Sequence, residues 1–229
     1  MTKLKICGLR DVSHALTAAD AGADFLGFNF VPGVRRQLSE EQAEAIIQEY
    51  RRLRGSDEPK LVGLFANQPL EDVNSIIKQY GLDLAQLCGD EPSDYWKRVD
   101  AQVIRQVKVR DDGPRDKAIA EVLRRVDEVV SQGLIAMLDK HEAGSLGGTG
   151  RTFDWTIASE VAARYDFLLA GGLTPENVGQ SIAAVNPWGV DVSSGVETDG
   201  VKDLGKIVAF AEEVRRASES LLHESHQNS

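Results

Sequence analysis

The chain has 229 residues, with 26 basic and 36 acidic side chains and a formal net charge of -10. An acidic balance of this size argues against a general surface for nucleic acid or for anionic membranes. No stretch reaches the roughly 18 consecutive apolar residues of a membrane span, and the first residues lack the apolar segment of a signal peptide. The two cysteines form neither a disulfide framework nor a zinc-type spacing. We therefore expect a cytoplasmic protein with no nucleic-acid or membrane partner.

Eight short apolar runs alternate with segments whose apolar residues repeat at helical spacing. The runs occupy residues 4–9, 25–30, 60–65, 84–89, 102–109, 134–139, 166–172 and 190–195. Before the last of these runs, Thr174 and Pro175 predict the N-cap and the first residue of a helix. Strands that alternate with helices indicate a parallel sheet, and eight such units in this length favour a closed (β/α)8 TIM barrel over an open doubly wound sheet.

The domain organisation follows from composition. No linker rich in proline, glycine or serine divides the chain, so we predict one α/β domain over residues 1–220. The polar residues 221–229 predict a frayed C-terminal tail. In such a barrel the active site lies at the C-terminal ends of the strands, so we expect the functional residues there.

Small residues follow the seventh and eighth strands. They are Gly171, Gly172, Ser193, Ser194 and Gly195. Such residues let backbone N–H groups approach a ligand at the usual phosphate position of these barrels, so both loops together predict a phosphate site. The alternative is that the glycines merely turn the chain.

Three side chains at strand ends are candidates for chemistry. Cys7 shares a strand face with Lys5, and by default a lone cysteine is a small buried hydrophobe. The alternative is a general base, whose thiol has an ordinary pKa of about 8.5 and needs activation. Asp139 ends the sixth strand, where it is either a general acid or base or a solvated loop residue. Arg36 is a bidentate partner for a carboxylate, with Arg35 as its rival.

Other candidate sites are rejected. The glycine-rich stretch 142–155 lacks the Gly-Lys-Ser/Thr ending of a P-loop, and Phe153 breaks the G-x-G-x-x-G pattern, so we exclude nucleotide binding. We interpret residues 144–150 as a mobile active-site loop. The four histidines form no metal pattern, and we expect no metal.

The strand ends together resemble those of the phosphoribosylanthranilate isomerases. The matching pieces include KICGL (5–9), VPGVRR (31–36), LDLAQLCGDE (82–91), LLAGGLTPENV (168–178) and VDVSSGVE (190–197). The likeness covers nearly the whole chain except the tail and residues 110–133. It implies a cofactor-free Amadori rearrangement of N-(5-phosphoribosyl)anthranilate, a small phosphosugar, in tryptophan biosynthesis by a monomer or homodimer.

The resemblance also implies residue roles. Asp139 would be the general acid and Cys7 the general base, while Arg36 would hold the anthranilate carboxylate and Asp191 would contact the sugar. Cys88 stands at the pocket mouth where the family usually has histidine, and we include it among the substrate-binding residues.

Two other interpretations are considered. A non-catalytic phosphosugar-binding barrel would have no use for Cys7 and Asp139 together. The related isomerase of histidine biosynthesis uses aspartates at both positions.

Overall fold

The computed structural model describes residues 1–54, 59–140 and 152–227. Eight parallel strands pair in chain order, and the last pairs with the first, so the predicted closed barrel is confirmed. The strands are Lys3–Cys7 (β1), Phe25–Asn29 (β2), Lys60–Phe65 (β3), Leu84–Leu87 (β4), Gln102–Val109 (β5), Ile135–Lys140 (β6), Phe167–Leu169 (β7) and Gly189–Val192 (β8). Each lies within or within one residue of a predicted apolar run.

Helices connect the strands and cover the outside of the barrel. They are Val12–Asp20 (α1), Glu40–Arg54 (α2), Leu70–Tyr80 (α3), Ser93–Trp96 (α4), Arg115–Val130 (α5), Trp155–Ala162 (α6), Val178–Val185 (α7) and Leu204–Gln227 (α8). A two-stranded hairpin, Glu197–Thr198 (β9) and Val201–Lys202 (β10), precedes α8. Within the described ranges, no helix has both the length and the apolar character needed to cross a membrane.

Helix α7 starts at Val178 and not at Pro175 as the sequence predicts. The side chain of Asn177 accepts a hydrogen bond from the backbone N–H of Thr174 (2.8 Å) and donates one to the carbonyl of Gly172 (2.9 Å). These bonds stabilise a turn before the helix, because an asparagine side chain competes with the helical backbone for partners.

Helix α8 continues to Gln227, into the segment 221–229 that the sequence predicts as a frayed tail. The division of the chain at residue 220 stays a prediction.

The barrel interior has an apolar layer toward the N-terminal ends of the strands. Its residues include Phe25, Val62, Leu84, Ile104 and Leu168, and the ring of Trp188 packs on Phe25. A larger core fills the space between the strands and the helices. Since both faces of the strands are buried, most of their residues are apolar, as is usual for a parallel sheet. The exception is β5, in which half of the residues of QVIRQVKV are polar.

The loops after β7 and β8 touch at Gly195. A β-carbon on Gly195 would lie 1.8 Å from the carbonyl oxygen of Leu173, which is a severe overlap with backbone. A side chain at this position therefore forces the two loops apart.

We predict that Gly195→Ala lowers the free energy of unfolding by about 3 kcal/mol, because overpacking against backbone cannot relax by a side-chain rotation. Urea titration measures this change. Gly113→Ala is the matched control, since no atom lies near its added methyl group, and it should change stability by no more than about 0.5 kcal/mol. Equal stability of the two variants would contradict the close contact.

Candidate active site

Cys7 lies at the C-terminal end of β1, inside the barrel. Lys5 and Cys7 both point inward, as their alternation predicts, and both are buried. Gly27 is the register partner of Cys7 on β2, and a β-carbon there would lie 3.2 Å from the Cys7 Sγ atom. A glycine in β2 therefore leaves space beside the thiol.

An ion pair that the sequence analysis missed lies next to this thiol. The Nζ atom of Lys5 is 2.7 Å from Oδ1 of Asp191, and the two residues are register partners on β1 and β8. Lys5 has no exposed surface, and Asp191 is 7% exposed. Burial alone would lower the pKa of Lys5, but the charge and hydrogen bond of Asp191 raise it above its ordinary value. Lys5 is therefore a permanent cation in the barrel interior.

The pKa of Cys7 is raised above its ordinary value, chiefly by burial. The positive charge of Lys5 is the next largest effect and lowers this pKa. The negative charge of Asp191 raises it, and the positive charge of Lys202 lowers it. The free protein thus holds Cys7 as a neutral thiol at neutral pH, with a cation nearby that favours the thiolate once it forms.

Asp139 lies near the end of β6, with 7% of its surface exposed. Its Oδ2 atom accepts a hydrogen bond from Nε2 of Gln106 (2.6 Å), and Oδ1 accepts one from the backbone N–H of Lys140 (2.8 Å). Burial raises the pKa of Asp139 to about 6, and the negative charge of Asp191 adds to this rise; the hydrogen bond from Gln106 opposes it. A carboxyl group of this kind can carry a proton near neutral pH.

Arg36 lies over the rim of the barrel and is bound by Glu197, the first residue of β9. Its Nε and Nη2 atoms donate to the two carboxylate oxygens at 2.6 and 2.9 Å. Burial alone would raise the pKa of Glu197, but hydrogen bonds and charges from Arg36 and Lys202 lower it to about 2. Arg35 also contacts Glu197, but its side chain is 54% exposed, against 12% for Arg36.

Cys88 follows β4 and is buried beside Val31 and Ala66. The Nε2 atom of Gln86 donates to its Sγ atom at 3.3 Å. Burial raises the pKa of Cys88 to about 12, although the hydrogen bond from Gln86 acts in the opposite direction. Cys88 therefore enters the site only as a neutral group.

The predicted phosphate loops lie at the same end of the barrel. Gly171 and Gly172 have φ angles of +91° and +64°, in the left-handed region that favours glycine, and a β-carbon on Gly171 would lie 3.0 Å from Oδ1 of Asp139. Ser193, Ser194 and Gly195 are half-buried after β8. Lys202 donates to the carbonyl of Ser193 (2.8 Å) and fixes this second loop.

All the predicted site residues therefore belong to the C-terminal end of one barrel. The predicted loop over residues 144–150 lies outside the described residues. Within the described part of the chain, no group of three or more histidine, cysteine, aspartate or glutamate side chains could hold a metal ion.

Comparison with known proteins shows the family of this chain. A family model described as N-(5'-phosphoribosyl)anthranilate (PRA) isomerase matches residues 4–213. This chain belongs to the phosphoribosylanthranilate isomerase family. The N-(5'-phosphoribosyl)anthranilate isomerases of Dehalococcoides mccartyi and Roseiflexus castenholzii are 41% and 43% identical to it. The two alignments cover 95% and 94% of this chain and 97% and 99% of those relatives.

Solved structures of the family have the same fold. The phosphoribosylanthranilate isomerase of Thermotoga maritima superposes with a TM-score of 0.78 and 31% identity, over 94% of this chain and 99% of that protein. Another isomerase structure, in complex with reduced 1-(o-carboxyphenylamino)-1-deoxyribulose 5-phosphate, gives a TM-score of 0.76 and 30% identity. It covers 94% of this chain and 99% of that protein.

Sequence reasoning missed the residues that support the candidates. The ion-pair role of Lys5, the hydrogen bond of Gln106 and the contact of Glu197 with Arg36 all join distant parts of the chain. Lys5 and Gln106 carry a readable signal, because each places a polar side chain on an inward position of its strand, two residues before Cys7 and two residues after Ile104.

The raised pKa of Asp139 predicts a pH-dependent stability. The folded protein binds this proton up to pH about 6, whereas an unfolded aspartate releases it near its ordinary value of 3.8. The stabilisation is therefore fully present below about pH 4 and is lost as the pH rises through about 6. Asp139→Asn removes the buried charge and should raise the free energy of unfolding at pH 8 by about 3 kcal/mol, with little gain at pH 4.

Urea titrations at pH 4 and pH 8 measure this difference. Asp112→Asn, at an exposed position, is the matched control for the change of charge. The same gain at both pH values would show that the ionisation of Asp139 is not its cause.

Proposed function

We propose that this protein isomerises N-(5'-phosphoribosyl)anthranilate to 1-(2-carboxyphenylamino)-1-deoxyribulose 5-phosphate, a step of tryptophan biosynthesis, by general acid–base catalysis without a cofactor. One observation carries the proposal. Cys7 and Asp139 are buried and lie on inward-facing positions of β1 and β6, at the end of the barrel that carries the glycine loops and Arg36. A thiol and a carboxyl group in this position can act on one substrate from two sides.

Asp139 is the general acid of the first step. Its protonated carboxyl gives the proton to the furanose ring oxygen, and the bond between this oxygen and C1' breaks. The lone pair of the anthranilate nitrogen forms the carbon–nitrogen double bond of a Schiff base. The carboxylate that remains keeps its hydrogen bonds from Gln106 and from the Lys140 backbone.

Cys7 is the general base of the second step. Its thiolate removes the proton from C2', and the electrons of that C–H bond form the double bond of an enolamine while the Schiff base nitrogen is neutralised. The enolamine then tautomerises to the ketone of the product: the C2' hydroxyl loses its proton and a proton is added at C1'. The charge of Lys5 favours the thiolate that this step requires.

The two pKa shifts favour a resting state in which the proton is on Cys7, whereas the reaction requires it on Asp139. Near neutral pH the free protein favours an ionised Asp139, whose pKa is about 6, and a neutral Cys7, whose pKa is raised. The productive form has the same number of protons, with one moved from the thiol to the carboxyl. Its population is therefore constant with pH between the two pKa values, because the proton count of the pair does not change.

The charged ends of the substrate find complementary groups. Glu197 occupies the Nε and Nη2 side of Arg36, and Nη1 has no partner in the described part of the chain. The remaining Nη1–Nη2 edge is free to bind the anthranilate carboxylate in a bidentate manner. Gly171, Gly172, Ser193, Ser194 and Gly195 hold the phosphate through backbone N–H groups.

Asp191 and Cys88 complete the substrate-binding set. Asp191 keeps a contact to the sugar in addition to its ion pair with Lys5, and Cys88 contacts the substrate at the pocket mouth as a neutral thiol.

The partner is a small phosphosugar, and we propose a cytoplasmic enzyme that binds neither nucleic acid nor membrane. One similar solved structure is that of monomers generated from the dimeric phosphoribosylanthranilate isomerase of Thermotoga maritima. We accordingly propose a monomer or a homodimer for this chain.

We predict that Cys7→Ser and Asp139→Asn each lower kcat by ~10²–10⁴, the usual contribution of a general base or acid. The assay follows the loss of fluorescence of freshly prepared phosphoribosylanthranilate. Both variants should bind reduced 1-(o-carboxyphenylamino)-1-deoxyribulose 5-phosphate as the unchanged protein does, which separates lost chemistry from lost folding. Turnover like that of the unchanged protein in both variants would overturn the acid–base assignment, whereas no turnover by the unchanged protein at high concentration would favour a non-catalytic phosphosugar-binding barrel.

We predict that Arg36→Met raises KM by about 10- to 100-fold, because a charge-assisted hydrogen-bonded pair is lost. Arg35→Met is the matched control, since its side chain is mostly exposed and contacts the same Glu197. Steady-state kinetics on both variants distinguish the two arginines. A larger increase of KM in Arg35→Met would assign the carboxylate to Arg35.

A further inference from the structure

Gln106 is an unusual residue for the interior of this barrel. It lies on β5 and is 3% exposed, and its register partner on β6 is Met137. Ile104, two residues earlier on the same face, belongs to the apolar layer. Burial of a primary amide is unfavourable unless its polar atoms find hydrogen-bond partners. A polar side chain at this depth therefore calls for a physical reason.

The donor atom of the Gln106 amide has a hydrogen-bond partner. Its Nε2 atom donates to Oδ2 of Asp139 at 2.6 Å, while Oδ1 accepts from the backbone N–H of Lys140 at 2.8 Å. Gly171 packs against the same Oδ1 atom. The carboxyl group is thus fixed at both oxygens, and only Gln106 does so through a side chain that can turn.

The other half of the amide has no partner. The Oε1 atom of Gln106 is buried and accepts no hydrogen bond within the described residues. A primary amide carries a donor and an acceptor on one carbon, so a half-turn of its terminal torsion exchanges them. The Nε2 orientation suits an ionised carboxylate, and the Oε1 orientation suits a carboxylic acid that donates its proton.

We propose that Gln106 is a positioning residue for the acid step, which keeps the Asp139 carboxyl in one orientation through both of its protonation states. This role rests on the proposed function of Asp139. Three further groups act on the same carboxyl: Asp191 on β8 and Lys108 on β5 through their charges, and Lys140 through its backbone N–H. Gln106 and the Lys140 N–H are the neutral members of this set, and Gln106 acts through its side chain.

The test compares Gln106→Met with the unchanged protein. Methionine has nearly the same shape as glutamine and cannot donate the hydrogen bond that favours the ionised carboxylate. A carbon-13 NMR titration of the Asp139 carboxyl in the free protein should therefore move to higher pH. The value of kcat should fall about tenfold with KM changed by less than about twofold, because the acid is misplaced while substrate contacts remain.

Two controls separate positioning from general damage. Ile104→Val alters the same face of the same strand without touching the carboxyl, and the Asp139 titration should stay unchanged. Gln106→Asn keeps the amide but shortens it by one methylene group, and it should move the titration in the same direction as methionine. It also provides a second reading if Gln106→Met does not fold.

A double-mutant comparison decides the role. In an Asp139→Asn background, Gln106→Met should lower kcat only slightly, because the group that it positions is already gone. An equal loss of kcat in both backgrounds, or an unchanged Asp139 titration in both Gln106 variants, would overturn the proposal. Full activity of Asp139→Asn alone would instead overturn the proposed role of Asp139 as general acid, and the role of Gln106 with it, while leaving the isomerase activity in place.

Discussion

A buried ion pair across the seam of the barrel sets the electrostatics of the whole site. Lys5 and Asp191 are register partners on the first and last strands, so they meet only because the barrel closes. Removing two charges from water costs several kcal/mol per ion, and such a pair persists because each charge compensates the other. Lys5 lowers the pKa of Cys7, an effect larger than the opposing one of Asp191, and Asp191 raises the pKa of Asp139. One pair thus favours both the base and the acid in their active forms.

The apolar surroundings beneath this pair favour the reactive form of one catalytic group and disfavour that of the other. Burial is the largest cause of the raised pKa of both Cys7 and Asp139. For Asp139 this favours the protonated acid, but for Cys7 it disfavours the thiolate. The difference explains why a cation is needed near the thiol, whereas the carboxyl needs only neutral donors to keep its orientation. The raised pKa of Asp139 also means that its ionised form destabilises the fold, so the site is maintained at the expense of stability.

The fold and the location of the site could be predicted because they depend on local patterns. Strands covered on both faces are mostly apolar, and closure brings all their C-terminal ends together, so Cys7 and Asp139 were expected at one rim. The predicted start of α7 was wrong, because the hydrogen bonds of the Asn177 side chain stabilise a turn and outweigh the preference of Pro175 for a first helical position. The side chains that contact the candidate site residues could not be predicted. Glu197 contacts Arg36 across 161 residues of sequence, and no local pattern encodes that contact.

The hairpin after β8 links the two anion sites of the proposed binding mode. Lys202 donates to the carbonyl of Ser193 in the phosphate loop and, with the same Nζ atom, to Oε1 of Glu197. Glu197 in turn binds Arg36 through both carboxylate oxygens. All three side chains are largely buried, where charge-assisted hydrogen bonds are less screened than at the surface. Because the chain of contacts is continuous, the distance between the phosphate loop and the arginine is fixed before a ligand arrives. Binding of a ligand with an anion at each end therefore costs less free energy for ordering of the protein. A ligand with one anion contacts only one of the two sites.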